Sequence, residues 1–327
     1  MTESILPAFY SGKTVLVTGG TGFIGSSVIQ SLRESGAIII SVSRKKQEDQ
    51  SRQSSVTRVR GDYSVSFWKQ ILPRVDVIFH FAAQTSSAYA NLHPTRDFQS
   101  NILPVVSLVE ACQATGKRPI VVFSGSVTQT GMTRSVPVNE QRPDSPTTIY
   151  DMSKLVSEQY VRYYAKAMGG HGVTLRLANV YGPGPTSSSA DRGILNLMVR
   201  KALSGQDLTV YGSGAYTRDY VYISDVVSAF LAAAASLSKT NGKYYLVGSG
   251  TGHTVAEMIK MVSKSVLELT GKKSKLISVR EPEDLPEIEH RHFIADTAGL
   301  SGDTGWHAKV TLKEGLRKTI EFYLKQV

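Results

Sequence analysis

Cysteine is nearly absent from the 327 residues. Cys112 stands alone, so no internal disulfide can form and the chain suits a reducing compartment. No run of 18 or more apolar residues occurs, which argues against a membrane-spanning helix. The opening stretch MTESILPAFYSGK lacks the basic start and long apolar core of a secretory leader, so the expected location is the cytoplasm. Repeats and low-complexity tracts are missing too. Acidic residues are outnumbered, 27 against 37 basic ones, and the net charge of +10 describes a surface that attracts anions. The basic clusters are short, Arg44-Lys45-Lys46 and Lys272-Lys273, with no interleaved aromatics. Nucleic acid is therefore not an expected partner, and an anionic small substrate accounts for the charge equally well. His290-x-His292 could pair on one strand face, but no further ligand cluster accompanies it, so no metal is expected.

What is present is an alternation of strand-like and helix-like stretches. Strands are expected at Lys13–Thr18, Ala37–Val42, Asp76–Phe81, Pro119–Ser124, Val173–Ala178 and Lys243–Val247. Helical patterns fill Gly22–Ser35, Thr95–Thr115, Ile149–Met168, residues 224–237 and Leu312–Leu324. This order predicts an α/β fold, a doubly wound parallel sheet of Rossmann type. After Ala178 the turn-rich stretch NVYGPGPTSSSADRG marks a crossing into a smaller α/β lobe. The expected division is residues 1–178 with about 221–250 for the dinucleotide-binding domain, and 179–220 with 251–327 for the substrate lobe.

The first strand runs into Gly19, Gly22 and Gly25, and a helix follows. Glycines let backbone approach a pyrophosphate, and the N–H groups of a helix N-terminus then face the anion. At the end of the second strand an acidic ribose ligand is missing. Ser43 and Arg44 stand there instead, a hydroxyl and a guanidinium that suit a 2′-phosphate. NADP(H) is therefore favoured, with NAD(H) as the alternative. Asp62, beside Tyr63, either reaches the adenine amino group or simply forms a turn.

Tyr150 and Lys154 are four residues apart at a helix start, so both lie on one face. A fixed ammonium beside a phenol favours the phenolate, which can then exchange a proton with a substrate oxygen. Upstream, Ser124-Gly125-Ser126-Val127-Thr128 closes a strand at the end where such sheets bind ligands.

Taken together, these motifs resemble the extended short-chain dehydrogenase/reductase family, in its sugar-nucleotide epimerase, dehydratase and ketoreductase branch. TGGTGFIG (18–25) is similar to the family's cofactor turn, with Phe23 and Ile24 inside it, and HFAA (80–83) to its nicotinamide-side strand end, with Phe81, Ala82 and Ala83. Asn101 matches the asparagine of its central helix, and YDMSK (150–154) its Tyr/Lys pair. FSGS (123–126) puts Ser126 in the catalytic place. NVYGPG (179–184), RDYVYISDV (218–226) and DTGWHAKVTLKEGL (303–316) resemble its substrate-lobe and tail signatures. The resemblance implies that Asn179 and Arg218 contact a diphosphate, that Leu208–Tyr211 borders the nucleobase with Tyr211 among the substrate residues, and that Thr128 faces the substrate. Arg280 is the candidate second phosphate arginine, one residue out of the family's register. It also implies a homodimer built on Thr95–Thr115 and Ile149–Met168.

Departures from the family pattern narrow the chemistry. Dehydratases carry an acidic pair after the catalytic hydroxyl, and decarboxylases a glutamate two residues on. Val127 and Thr128 stand there instead. Thr130 replaces a common sugar-pocket tyrosine. The resulting expectation is an NADP(H)-dependent 4-ketoreductase of a nucleotide-activated sugar, with a nucleotide-sugar 4-epimerase as the alternative.

Overall fold

Apolar runs in the first half of the chain become strands whose successive side chains enter two separate cores. Val15 and Val17 pack into one and Leu16 into the other; Phe79 and Ile78, and Val122 and Val121, divide the same way. Both faces are covered, which is why these strands read as continuous hydrophobic runs rather than as alternating ones. The computed structural model describes residues 5–44, 56–185, 193–283 and 285–326, so Lys45 and Lys46 lie outside the described residues.

Among the described residues there are twelve strands: β1 (Thr14–Thr18), β2 (Ile38–Ser43), β3 (Val56–Arg60), β4 (Val77–His80), β5 (Ile120–Ser126), β6 (His171–Leu177), β7 (Asn179–Tyr181), β8 (Leu208–Tyr211), β9 (Thr217–Tyr222), β10 (Tyr244–Val247), β11 (Gly252–Thr254) and β12 (Leu276–Val279). Seven of them form one parallel sheet in the order β10-β6-β5-β4-β1-β2-β3. The order reverses between β1 and β4, so a crevice opens beyond their C-terminal ends, the place where such sheets take ligands. β11-β9-β7 and β12-β8 are smaller sheets outside it.

The helices are α1 (Ile5–Tyr10), α2 (Phe23–Leu32), α3 (Val65–Ile71), α4 (Ser87–Leu92), α5 (Pro94–Asn101), α6 (Leu103–Thr115), α7 (Ile149–Ala167), α8 (Ile194–Leu203), α9 (Ile223–Ala235), α10 (Leu237–Thr240), α11 (Val255–Thr270), α12 (Ala298–Thr304) and α13 (Leu312–Leu324). α2 and α9 cover one sheet face; α3, α6 and α7 cover the other. α8, α11 and α13 pack on one another around Met198, Val262 and Ile320. That cluster continues into the sheet core without a break.

Two expectations need correction. Thr95–Thr115 is not one helix. Pro104 lacks an N–H and its ring crowds the preceding turn, so the chain breaks at Ile102 into α5 and α6. His290 and His292 are not on a strand face either: Glu287–His290 is a 3₁₀ turn, and extended chain follows it. Among the described residues no helix is long and apolar enough to cross a membrane.

Candidate active site

The glycine turn is shaped by close approach. Gly19 has φ of 64°, and a Cβ there would lie 2.9 Å from Ala82 N. A Cβ on Gly25 would collide with the Gly19 carbonyl, so α2 can meet β1 only without one. Gly22 caps α2 and has no side-chain oxygen to offer its N–H groups, which leaves Phe23, Ile24 and Gly25 presenting backbone donors at a positive helix end. This cradle fits a dinucleotide pyrophosphate.

Behind the turn a tautomer is forced. The Thr18 hydroxyl accepts from both Phe81 N and Ala82 N at 3.0 Å, so its own hydrogen goes to His80 Nδ1, 3.2 Å away. His80 then carries its proton on Nε2. Burial holds it neutral, with a pKa lowered to about 3, and the nearby Lys154 adds to that. In this way Thr18 ties the Phe81–Ala83 strand end to the glycine turn.

At the adenosine side, Ser43 is buried at the end of β2 and Arg44 is exposed just beyond it. Asp62 is exposed, and its Oδ1 accepts from Ser64 N at 2.9 Å, so in this chain it forms the turn. Tyr63, beside it, has φ of 61° and donates to Val42 O at 3.3 Å.

The candidate catalytic residues lie where α7 crosses β5. Lys154 is 4 % exposed, and its Nζ donates to Ser124 O at 2.9 Å. The ammonium lies 4.9 Å from the Phe123 ring centre and 5.9 Å from that of Tyr150. Burial lowers its pKa to about 8, and the buried Asp97 pulls it back up. Asp97 in turn accepts from Asn101 Nδ2 and Gln84 Nε2, and Asn101 Oδ1 accepts from Gln84 N at 3.0 Å. Ser126 and Thr128 are half-buried among buried neighbours, with their hydroxyl oxygens 2.7 Å apart. Gln129 holds this corner: its Oε1 accepts from Ser126 N at 2.8 Å and its Nε2 donates to Glu158. Glu158 is clamped by the fully buried Arg176, which also grips Asp144.

The substrate-lobe candidates are less uniform. Asn179 pairs with Tyr220 in the β7–β9 ladder. Arg218 is 4 % exposed and already donates to the carbonyls of Glu289, Arg291 and Thr217, fastening the 285–292 connection. Tyr211 is exposed at the end of β8, where its register partner is Val279. Arg280 follows directly, with an 88 % exposed side chain whose ion pair is with Glu283 at 3.6 Å, so its guanidinium is not gathered with Arg218. His290 meets Glu281, and His292 meets Thr217; among the described residues no cluster fit to hold a metal occurs.

Sequence reasoning passed over Asp97, Gln129, Asp151 and Arg291. Asp151 had a visible signal, since Thr148-x-x-Asp151 is a capping box in which each side chain accepts the other's N–H. Arg291 had none. It is 5 % exposed, and its Nη1 donates to Ile288 O at 2.8 Å. Burial, then the neighbouring Arg218, lower its pKa to about 10.

A profile of the NAD dependent epimerase/dehydratase family matches residues 15–248. The UDP-glucose 4-epimerase of Mycolicibacterium smegmatis is 29% identical over 318 residues, covering 94% of this chain and 97% of that one. The dTDP-D-glucose 4,6-dehydratase of Bos taurus is also 29% identical, over 340 residues, 98% of this chain and 91% of its own. Among solved structures, UDP-glucose 4-epimerase from Thermotoga maritima with UDP-glucose superposes with a TM-score of 0.85 at 30% identity, covering 96% of this chain and 99% of that one.

Proposed function

The chain belongs to the NAD dependent epimerase/dehydratase family, enzymes of the extended short-chain dehydrogenase/reductase type, and from that premise we propose that it is a nucleotide-sugar 4-epimerase. The observation that carries this reading is the complete set Ser126, Tyr150 and Lys154, with Val127 and Thr128 where a dehydratase has its acidic pair. No carboxylate next to the catalytic hydroxyl is available to take a proton from the sugar carbon adjacent to the keto group, so dehydration is disfavoured despite the dehydratase among the relatives. The likeness to UDP-glucose 4-epimerases reverses the sequence-based order, which ranked 4-ketoreductase first.

A nicotinamide dinucleotide, when bound, supplies the acceptor and donor of the hydride at C4 of the sugar. The protein handles the proton. Tyr150 takes it from the sugar hydroxyl and returns it, with Lys154 favouring the phenolate by charge. Ser126 meets the same sugar oxygen. Asn179 and Arg218 lie toward the diphosphate, and Tyr211 toward the base. Glycines 19, 22 and 25 hold the cofactor pyrophosphate. A homodimer is part of the proposal, because Leu92, Phe98, Met152, Val156 and Tyr163 leave apolar surface exposed on α4, α5 and α7. So is the division into a cofactor domain and a substrate lobe.

The test is direct. Purified protein with UDP-glucose and no added cofactor should form UDP-galactose. A protein that instead consumes NADPH one-for-one with a 4-keto sugar is the ketoreductase. That second reading is favoured by Ser43 and Arg44 at the ribose end of β2, and NADP(H) preference belongs to it.

A further inference from the structure

We propose that Glu289 is a built-in competitor for the substrate's diphosphate: its carboxylate lies against the Arg218 and Arg291 guanidinium groups in the free protein, and the diphosphate takes that place on binding. The inference rests on the reading of Arg218 as a diphosphate residue, and it brings Arg291 to the same anion.

Arg218 on β9 and Arg291 on the connection before α12 are both buried, and they meet one carboxylate oxygen. Glu289 Oε2 accepts from Arg218 Nη2 at 3.4 Å and lies 3.8 Å from Arg291 Nη1. Charge-assisted bonds of this kind are normally about 2.7–2.9 Å long, so the carboxylate is held loosely. Its side chain is 46 % exposed, while the two arginines are enclosed. One negative charge, half in solvent, thus answers two buried positive ones. Burial, then Arg218, lower the Arg291 pKa to about 10, and Glu289 draws it back up.

The backbone of the turn is held separately from this carboxylate. Arg218 Nη2 donates to Glu289 O at 2.6 Å, and its Nη1 donates to Arg291 O. Arg291 Nη1 donates to Ile288 O at 2.8 Å. These bonds fasten the Glu287–His290 turn by its carbonyls, so the carboxylate can swing out while the turn stays in place. Its departure releases one N–H of Arg218 Nη2 and uncovers Arg291 Nη1. Arg291 Nε is buried, and among the described residues it has no hydrogen-bond partner. The same holds for Tyr220 Oη, two residues after Arg218 and on the same face of β9. Buried donors without partners cost free energy, which an anion rich in oxygen recovers. A diphosphate brings more charge and more acceptors to two guanidinium groups than a carboxylate does. The carboxylate must leave first, so the observed affinity falls by the fraction of time that the site stands open. Arg280 takes no part, because its exposed side chain pairs with Glu283.

The experiment titrates inorganic pyrophosphate, UDP and uridine calorimetrically into wild type, Glu289→Gln, Arg291→Met, their double variant and Arg280→Ala. Nicotinamide dinucleotide is kept saturating, so that the glycine cradle is occupied. Glu289→Gln keeps the shape and removes the charge. It should tighten pyrophosphate and UDP about five- to tenfold, the scale of a half-exposed ion pair, and leave uridine unchanged. Arg291→Met should weaken both phosphate ligands about tenfold or more, and Arg280→Ala should match wild type. In the Arg291→Met background Glu289→Gln should gain less, because one of its two cations is gone. The half-exposed Glu289→Gln carries the test by itself if Arg291→Met does not fold. Unchanged or weaker pyrophosphate binding in Glu289→Gln overturns the proposal, as does an equal gain with uridine or a failure of every variant to bind pyrophosphate and UDP. A lowered unfolding midpoint with unchanged affinity leaves Glu289 as a structural ion pair and overturns it too. An equal gain with and without the Arg291 guanidinium overturns the pairing of the two arginines. Wild type that leaves UDP-glucose unconverted, while Glu289→Gln tightens pyrophosphate as expected, rejects the epimerase reading alone. Conversion of UDP-glucose beside unchanged pyrophosphate binding rejects the competitor alone.

Discussion

One turn of α7 separates two buried cation sites of opposite design. At Lys154 a nearly enclosed ammonium has one hydrogen bond, to Ser124 O, and aromatic rings for neighbours. At Glu158 the same helix meets Arg176, whose guanidinium is fully buried, bonded to both Glu158 oxygens and to Asp144, and laid 3.7 Å over the Tyr244 ring. The first charge is left under-compensated, so that it still acts on Tyr150. The second is neutralised and holds β6 against α7. Arg218 lies between the two, with its Nη groups on carbonyls of the 285–292 connection and no buried carboxylate clamped to it. Burial alone does not mark a reactive cation; donors left unused beside a reactive group do.

The largest test of that contrast is kinetic. Tyr150→Phe should lower kcat by about 10²- to 10⁴-fold while the fold survives, measured as epimer interconversion beside an unfolding curve. Next in size, Arg176→Met should destabilise by about 3–5 kcal/mol, because it leaves the Glu158 and Asp144 carboxylates facing each other without a cation. Urea unfolding measures it, and a loss below about 1 kcal/mol would mean that the clamp is dispensable.

Lys154→Met should do the reverse, abolishing activity while stabilising the fold. Its folded pKa of about 8 lies below the ordinary 10.5, so the unfolded chain binds the proton more tightly. The charged form therefore costs about 3 kcal/mol below pH 8. That cost fades between pH 8 and 10.5, so wild type should gain stability on Lys154→Met across this window. Parallel stability curves for the two proteins would break the comparison. The smallest effect belongs to Arg280→Ala. With its side chain in solvent, kcat/KM should stay within about twofold of wild type, as for a surface ion pair.

Much of the cofactor half was legible because its geometry is local. A β-branched strand, three glycines and a helix can be arranged in few ways, and Tyr150 and Lys154 share a face by helical periodicity. Pro104 announced the break between α5 and α6, yet the apolar periodicity on either side concealed it. At Asp62 the nearest donor is local, since Ser64 N, which its Oδ1 accepts from, is two residues away. Arg280 was hard to place, because a register one residue out of step leaves spacing without a reference.

By itself the sequence determined the order of strands and helices, the glycine cradle at Gly19–Gly25 and the pairing of Tyr150 with Lys154, because these depend on backbone sterics and on residues a few positions apart. Only the tertiary structure decided that Asp97 would face Lys154, that Arg176 would close on Asp144 and Glu158, and that Gln129 would join Ser126 N to Glu158. Those contacts join distant segments, and the charge on each group depends on how much water its partners exclude.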